Sequence, residues 1–217
     1  MLTSNPTNYG TGIEIFGDYH DLSFLHSQLH ELAGEDDNVP GYWNLVNLAY
    51  DVRHAFQGDS LKKDFGFSDL PIKYLGFTYY WIDIILVINV LRQRCAYVPT
   101  SKPTQSLLYR LEFLIEDSMK EYDLKLGSQL SKWVDWLRID INHYTHLLRT
   151  KALWETLNES NGKKRFKKVI DEMQIFSPFS DYAKSFKHHL DEEAIRLNCE
   201  IKDLEPNYSF DSLKYKW

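Results

Sequence analysis

The sequence predicts an α+β chain, mostly α, and three observations carry that prediction. Two short segments near the start, Gly10–Phe16 and Ile72–Tyr80, are rich in β-branched and aromatic residues; the first alternates like a half-buried strand. Nearly everything else with a regular apolar pattern repeats at helical spacing. Gly and Pro clusters fall between those repeats, not inside them. The expected architecture is a small two-stranded antiparallel β element packed on a bundle of about six to seven helices. It is read as a single domain over 1–217, with a β-containing half (1–98), a helical half (99–205) and an aromatic tail (206–217).

In order, Ile13 and Ile15 mark the first strand, and Gly17 ends it. Asp21 is a plausible N-cap for a helix through Ala33, whose core stripe is Leu22, Leu25, Leu29 and Leu32. An acidic loop, Gly34 to Gly41, leads into a helix from about Trp43 to Gln57, closed by Gly58-Asp59-Ser60. Leu61 to Leu70 reads as irregular. After the second strand, Asp83 to Ala96 favours a buried helix. Beyond the Pro99–Pro103 break, Leu107 to Tyr122 is strongly amphipathic. Leu130 to Leu148 marks another helix, extending with a bend to Leu157, and Phe166 to Met173 a short one. Ala183, Phe186, Leu190, Ala194, Leu197, Ile201 and Leu204 predict a final helix over 181–204. Its near-heptad spacing suits a bundle or a seam for a homodimer or protein partner.

Composition narrows the function classes. A net charge of −6 argues against a generally basic nucleic-acid surface. Two cysteines, Cys95 and Cys199, form no framework and fit a reducing compartment. The polar start lacks an apolar leader, and the most apolar run, Ile84 to Leu91, is far short of the roughly 20 residues of a membrane span. A soluble, cytoplasmic protein without a membrane partner is expected. No Gly-rich phosphate loop or nucleophile elbow is visible, so no cofactor is expected and no metal ligands are assigned.

The stretch that concentrates polar chemistry is Tyr50-Asp51-Val52-Arg53-His54-Ala55-Phe56-Gln57-Gly58-Asp59. Leu45, Leu48, Ala49, Val52, Ala55 and Phe56 form the core face of this helix. Trp43, Val46, Tyr50, Arg53 and Gln57 share a second stripe, which predicts a helix covered on both sides with Arg53 and His54 held inside. Tyr50, Asp51, Arg53, His54, Gln57 and Asp59 are therefore the candidate ligand-binding residues. Arg53 and Gln57 could fork a carboxylate or phosphate oxygen, and Asp51 could fix the His54 tautomer. The bland alternative is a structural network in which Arg53 pairs with Asp18, Asp21 or Asp59.

The opening Gly12-Ile13-Glu14-Ile15-Phe16-Gly17-Asp18-Tyr19-His20-Asp21-Leu22, taken with Tyr50–Asp59, resembles an uncharacterised bacterial domain family. Its members pair a G-x-x-I-x-G-x-Y-x-D-L start with a Y-D-(I/V)-R-H-A-x-Q-G-D helix end. In those relatives the segment after the strand reads more like Trp-Pro-Glu, so Ile82 and Asp83 here depart from it. The resemblance covers roughly residues 10 to 95 and implies no activity.

Other constellations point elsewhere. Arg138 and His143, with Asn142 beside the latter, resemble the Arg-x4-His motif of HEPN-type ribonucleases of defence systems, which act without metal. On a straight helix the two side chains would lie about 140° apart. Lys163, Lys164, Arg165, Lys167 and Lys168 form a basic run that could grip RNA under that reading, or be a solvated face. Asp51-x-x-His54 and Asp140-x-x-His143, with Glu112 and Glu116, sketch a metal-binding helical bundle. His26/His30 and His143/His146 also have same-face spacings. The leading expectation is a binding or interaction module of unknown activity with its site at the Tyr50–Asp59 helix end; the alternatives are the ribonuclease and the metal protein.

Overall fold

The computed structural model describes residues 1–65, 72–134, 139, 141–177, 179–204 and 217; the side chains of Phe65 and His143 are also outside the description. Among the described residues there are eight α-helices and one four-stranded antiparallel sheet. The sheet order is β1 (Thr3–Pro6), β2 (Gly12–Gly17), β4 (Ile72–Tyr80), β3 (Leu61–Phe65).

The expected β2–β4 pairing is present, with Ile15 opposite Phe77. Two edge strands correct the two-stranded expectation. β1 pairs with β2 (Thr3 opposite Phe16), and β3, from the stretch read as irregular, pairs with β4 (Leu61 opposite Gly76). Neither has an alternating apolar face; they are held by neighbours rather than by their own pattern. Thr7 tightens the β1–β2 turn, its hydroxyl accepting from the Gly12 amide at 2.9 Å. β3 forms an edge of the sheet, with Lys62, Lys63 and Asp64 exposed.

α1 (Tyr19–Ala33) begins earlier than expected. Asp18 is its N-cap and Asp21 sits at the third helical position, the two bonding reciprocally as a capping box (2.8 and 3.2 Å). α2 (Tyr42–Gln57) packs on α1. β4 runs straight into α3 (Trp81–Tyr97), in which every residue from Trp81 to Leu91 is buried. A helix apolar on all sides belongs in the middle. α3 touches α1, α2, α6, α7 and both central strands, and Arg94 ties it to the end of α1 by donating to the carbonyl oxygens of Leu32 (2.7 Å) and Ala33 (3.1 Å).

α4 (Lys102–Tyr122) packs against α3 and under β1, where Ser4 donates to the Leu114 carbonyl. The single helix expected over Leu130–Leu157 is instead broken. α5 (Leu124–Leu130) runs into a 3-10 turn at Ser131–Trp133, and α6 (His143–Asn158) starts afresh. Asn142 forces the restart: its side chain accepts from the Thr145 amide at 3.1 Å, a cap a through-going helix could not accommodate. α7 (Lys163–Met173) lies beside α6.

α8 (Asp181–Leu197) stops before the expected 204, because Asn198 turns left-handed (φ 52°); a 3-10 turn follows at Ile201–Asp203. Only Ala194 of α8 is buried, and Ile195 is 81% exposed. The aromatic tail expected over 206–217 lies outside the described residues except Trp217, whose ring stacks on Tyr80 at 4.5 Å. Among the described residues no helix is long and apolar enough to cross a membrane.

Candidate functional site

The local sequence fixes how α2 ends. Gly58 adopts φ +84°, and its amide and that of Asp59 bond back to the carbonyls of Ala55 (2.9 Å) and His54 (3.0 Å). This is a Schellman turn, and it swings Asp59 over the last helical turn. The Asp59 carboxylate lies 3.4 Å from Nδ1 of His54. Asp59, rather than Asp51, is thus the acid beside the imidazole. The Tyr50 ring leans on His54 at 4.4 Å.

The expected covering of both α2 faces is not observed. Trp43 and Tyr50 are 59% and 55% exposed, and Arg53 and Gln57 face solvent. Arg53 forms no ion pair among the described residues; its guanidinium lies over the Tyr50 ring at 5.1 Å. Asp18 and Asp21, its proposed partners, bond each other in the α1 cap. The buried charges are elsewhere.

The second stripe that matters is rotated from the one the aromatic residues suggested. Asn44, Asn47, Asp51 and His54, spaced i, i+3, i+7, i+10, run along one side of α2. Asp51 and His54 are half-buried. With Tyr50, Asp59, Ser60, Phe77 and Thr78 they line a pocket of about 300 Å³ between the end of α2 and β4. Asp51 makes no hydrogen bond or ion pair among the described residues. Burial pushes its carboxyl up to about 6; the nearby His54 opposes that shift and Asp83 adds to it.

Asp83 sits in the first turn of α3 and is 5% exposed. Its carboxylate is gripped by Arg149 of α6 through two bonds, Nε to Oδ1 at 2.6 Å and Nη2 to Oδ2 at 2.7 Å. Burial alone would lower the Arg149 pKa; the Asp83 charge outweighs it and holds the guanidinium above its ordinary value. Burial and the charges of Asp83 and Asp51 push the Tyr79 phenol in the opposite sense from an easy donor of its proton, well above its usual range.

Arg149, with Asp83 behind it, lines a cleft of about 500 Å³ between α2 and α6. Asn44 and Asn47 line it from α2, Asn142, Thr145, His146 and Arg149 from α6, and Trp43, Leu86 and Ile141 supply apolar surface. Among the described residues neither the Asn44 nor the Asn47 side chain has a hydrogen-bond partner, and Arg149 leaves Nη1 unused. Sequence reading missed this cleft. The i, i+3 asparagines of α2 were visible, but Arg149 lies 66 positions from Asp83, and nothing local signals the pair.

The remaining expectations divide as follows. Arg138, and Asp140 of the metal sketch, lie outside the described residues, and of His143 only the backbone, the first residue of α6, is described. Ile139 and Ile141 are not helical, and the Asn142 side chain is occupied as the cap of α6. The basic run is not one continuous face. Arg165 is buried and donates to Thr11 Oγ1 (2.8 Å) and to the Leu157 and Glu159 carbonyls. Lys163 pairs with Asp123, and Lys168 with Glu172 and Glu155; Lys164 and Lys167 are exposed. Glu112 is taken up by Arg92. Among the described residues no group of three or more His, Cys, Asp or Glu could hold a metal ion.

Fold and site together define an α+β protein with a cleft between α2 and α6 and no established activity. The model of a family described as Domain of unknown function (DUF6904) matches residues 2–217, and the chain belongs to that family. No curated protein and no solved structure matches it.

Proposed function

We propose that the chain is a binding module that holds a small polar molecule in the α2/α6 cleft. One observation carries this reading: hydrogen-bonding groups without internal partners, the amides of Asn44 and Asn47 and Nη1 of Arg149, converge on one concave surface beside Trp43, Leu86 and Ile141. A few convergent polar groups on a partly apolar concave surface are what ligand sites offer. Asp83 balances the Arg149 charge, so Nη1 serves as a directed donor, and the other two charged residues of the lining, Asp37 and Lys202, are opposite in sign; the balance favours a ligand without net charge, rich in carbonyl or hydroxyl groups. The free thiols of Cys95 and Cys199 support a reducing, cytoplasmic setting.

Trp43 provides the readout. A panel of neutral metabolites titrated against the protein should yield at least one that changes its tryptophan fluorescence saturably, and Asn44→Ala/Asn47→Ala should weaken that ligand by about tenfold or more, as two lost hydrogen bonds imply. A bound ligand indifferent to the double substitution would place the site elsewhere and end this reading.

A further inference from the structure

The aromatic stripe of α2 has the spacing of a helix-pairing seam and is left open to solvent. Trp43, Val46, Tyr50, Arg53 and Gln57 recur at alternating intervals of three and four residues, the repeat by which two helices interlock. Trp43 and Tyr50 are 59% and 55% exposed, Arg53 and Gln57 are exposed, and only Val46 packs partly on the core. Tryptophan, tyrosine and arginine are the side chains that carry most of the energy of protein–protein contacts, and they hold three of the five positions.

The charges beside the stripe are separated along the helix. Glu35, Asp36 and Asp37, all exposed, precede the start of α2. The Tyr42 amide donates to the Val39 carbonyl (3.0 Å) and so ties their loop to the helix; Asp37 and Trp43 line the same cleft. Of the cations near these acids, Arg94 is held by the Leu32 and Ala33 carbonyls and Lys202 by Glu200. The other end of α2 carries Arg53 and, beside Gly58, Lys62 of β3. Its acids are matched locally: Asp59 is directed at His54, and Asp64 lies opposite Lys73 of β4.

We propose that two copies of the chain pair through this stripe, α2 against α2 in the antiparallel sense, about a two-fold axis passing between Val46 and Tyr50. Trp43 of each copy then meets Arg53 of the other, and Val46 meets Tyr50. A guanidinium over an indole face is an attractive contact, and Asp37 beside that indole adds the opposite charge. The antiparallel sense sets the acidic end of each helix against the cationic end of its partner, which makes the surface self-complementary as a two-fold interface requires. The parallel sense is disfavoured, because it stacks Arg53 on Arg53 and acids on acids. With 16 residues, α2 is about 24 Å long, so the contact falls at the small end of interface sizes and the dimer is a reversible one. The stripe of Asn44 and Asn47 is turned about 100° from this seam. Trp43 borders both, but the association is measured without ligand, so it stands or falls apart from the cleft.

The test is sedimentation velocity of the ligand-free full chain from about 1 to 300 µM. A monomer at the low end should give way to a species of twice the mass, with a dissociation constant on the order of tens of micromolar. Arg53→Glu and Asp37→Lys, both at exposed positions, should keep the native circular dichroism and each weaken association about tenfold or more. Both together in one chain reverse the two charges and keep their attraction, so the constant should return to within a few-fold of the original. Lys184→Glu on α8 should leave it unchanged. A chain that stays monomeric throughout, single reversals without effect, a double variant as weak as the singles, or loss of the dimer in Lys184→Glu would each overturn the assignment.

Discussion

Asp51 and Asp83 are carboxylates on neighbouring helices, the charge of the second close enough to raise the pKa of the first, and they have been treated oppositely. Asp83 is the more deeply buried, yet Arg149 meets both its oxygens. Asp51 is the more accessible, yet nothing among the described residues meets it. A buried carboxylate with a two-point cation is part of how α3 and α6 are held together. A half-buried one without a cation adds nothing to the fold and keeps its bonding capacity for something else. The same contrast separates Asn89, buried and donating to the carbonyls of Ile85 (2.9 Å) and Trp133 (3.1 Å), from the unpartnered Asn44 and Asn47.

Three sets of substitutions sharpen that contrast, the largest effect first. Arg149→Met strands the Asp83 charge in the interior and should lower unfolding free energy by about 3–5 kcal/mol in urea titrations; adding Asp83→Leu should restore much of it. If the single substitution leaves stability unchanged, the ion pair is not structural. Asp51→Asn should act in the other direction. The folded-state pKa of Asp51, about 6, lies above its ordinary 3.8, so the folded state holds the proton more tightly. Stability is therefore lost as pH rises from about 4 through 6, and the penalty is complete above that. Removing the charge should raise stability at pH 7.5 by on the order of 1–2 kcal/mol, after allowance for solvent screening, and by nothing at pH 4. A gain that is equal at both pH values would show that the effect is not electrostatic. Smallest, Asn44→Ala and Asn47→Ala should each change stability by no more than about 0.5 kcal/mol by thermal denaturation, as unpaired surface amides do.

Much of the helical framework was legible because long apolar repeats report burial directly. α3 is the clearest example, a run without a polar side that could only be central. The edge strands were not legible. β3 reads Leu-Lys-Lys-Asp-Phe, and its strand conformation comes from the register it makes with β4, not from any alternation of its own. The α1 cap was misplaced by three residues because both Asp18 and Asp21 belong to it, one at each end of the capping box. The polar end of α2 stood out in the sequence, but its orientation was not legible. The residues at Trp43, Tyr50 and Arg53 suggested a covered stripe, whereas α6 and β4 face the polar stripe one residue on, turned by about 100°. Which side of a helix meets a neighbour depends on elements remote in sequence, and Arg149 is the residue that settles it here.

The two ends of the sheet also differ in how they meet the outside. β1 lies under α4, while β3 turns two adjacent lysines and an aspartate outward. Charged side chains on an exposed edge strand disfavour its pairing with a second molecule, and β3 carries three of them in a row, Lys62, Lys63 and Asp64.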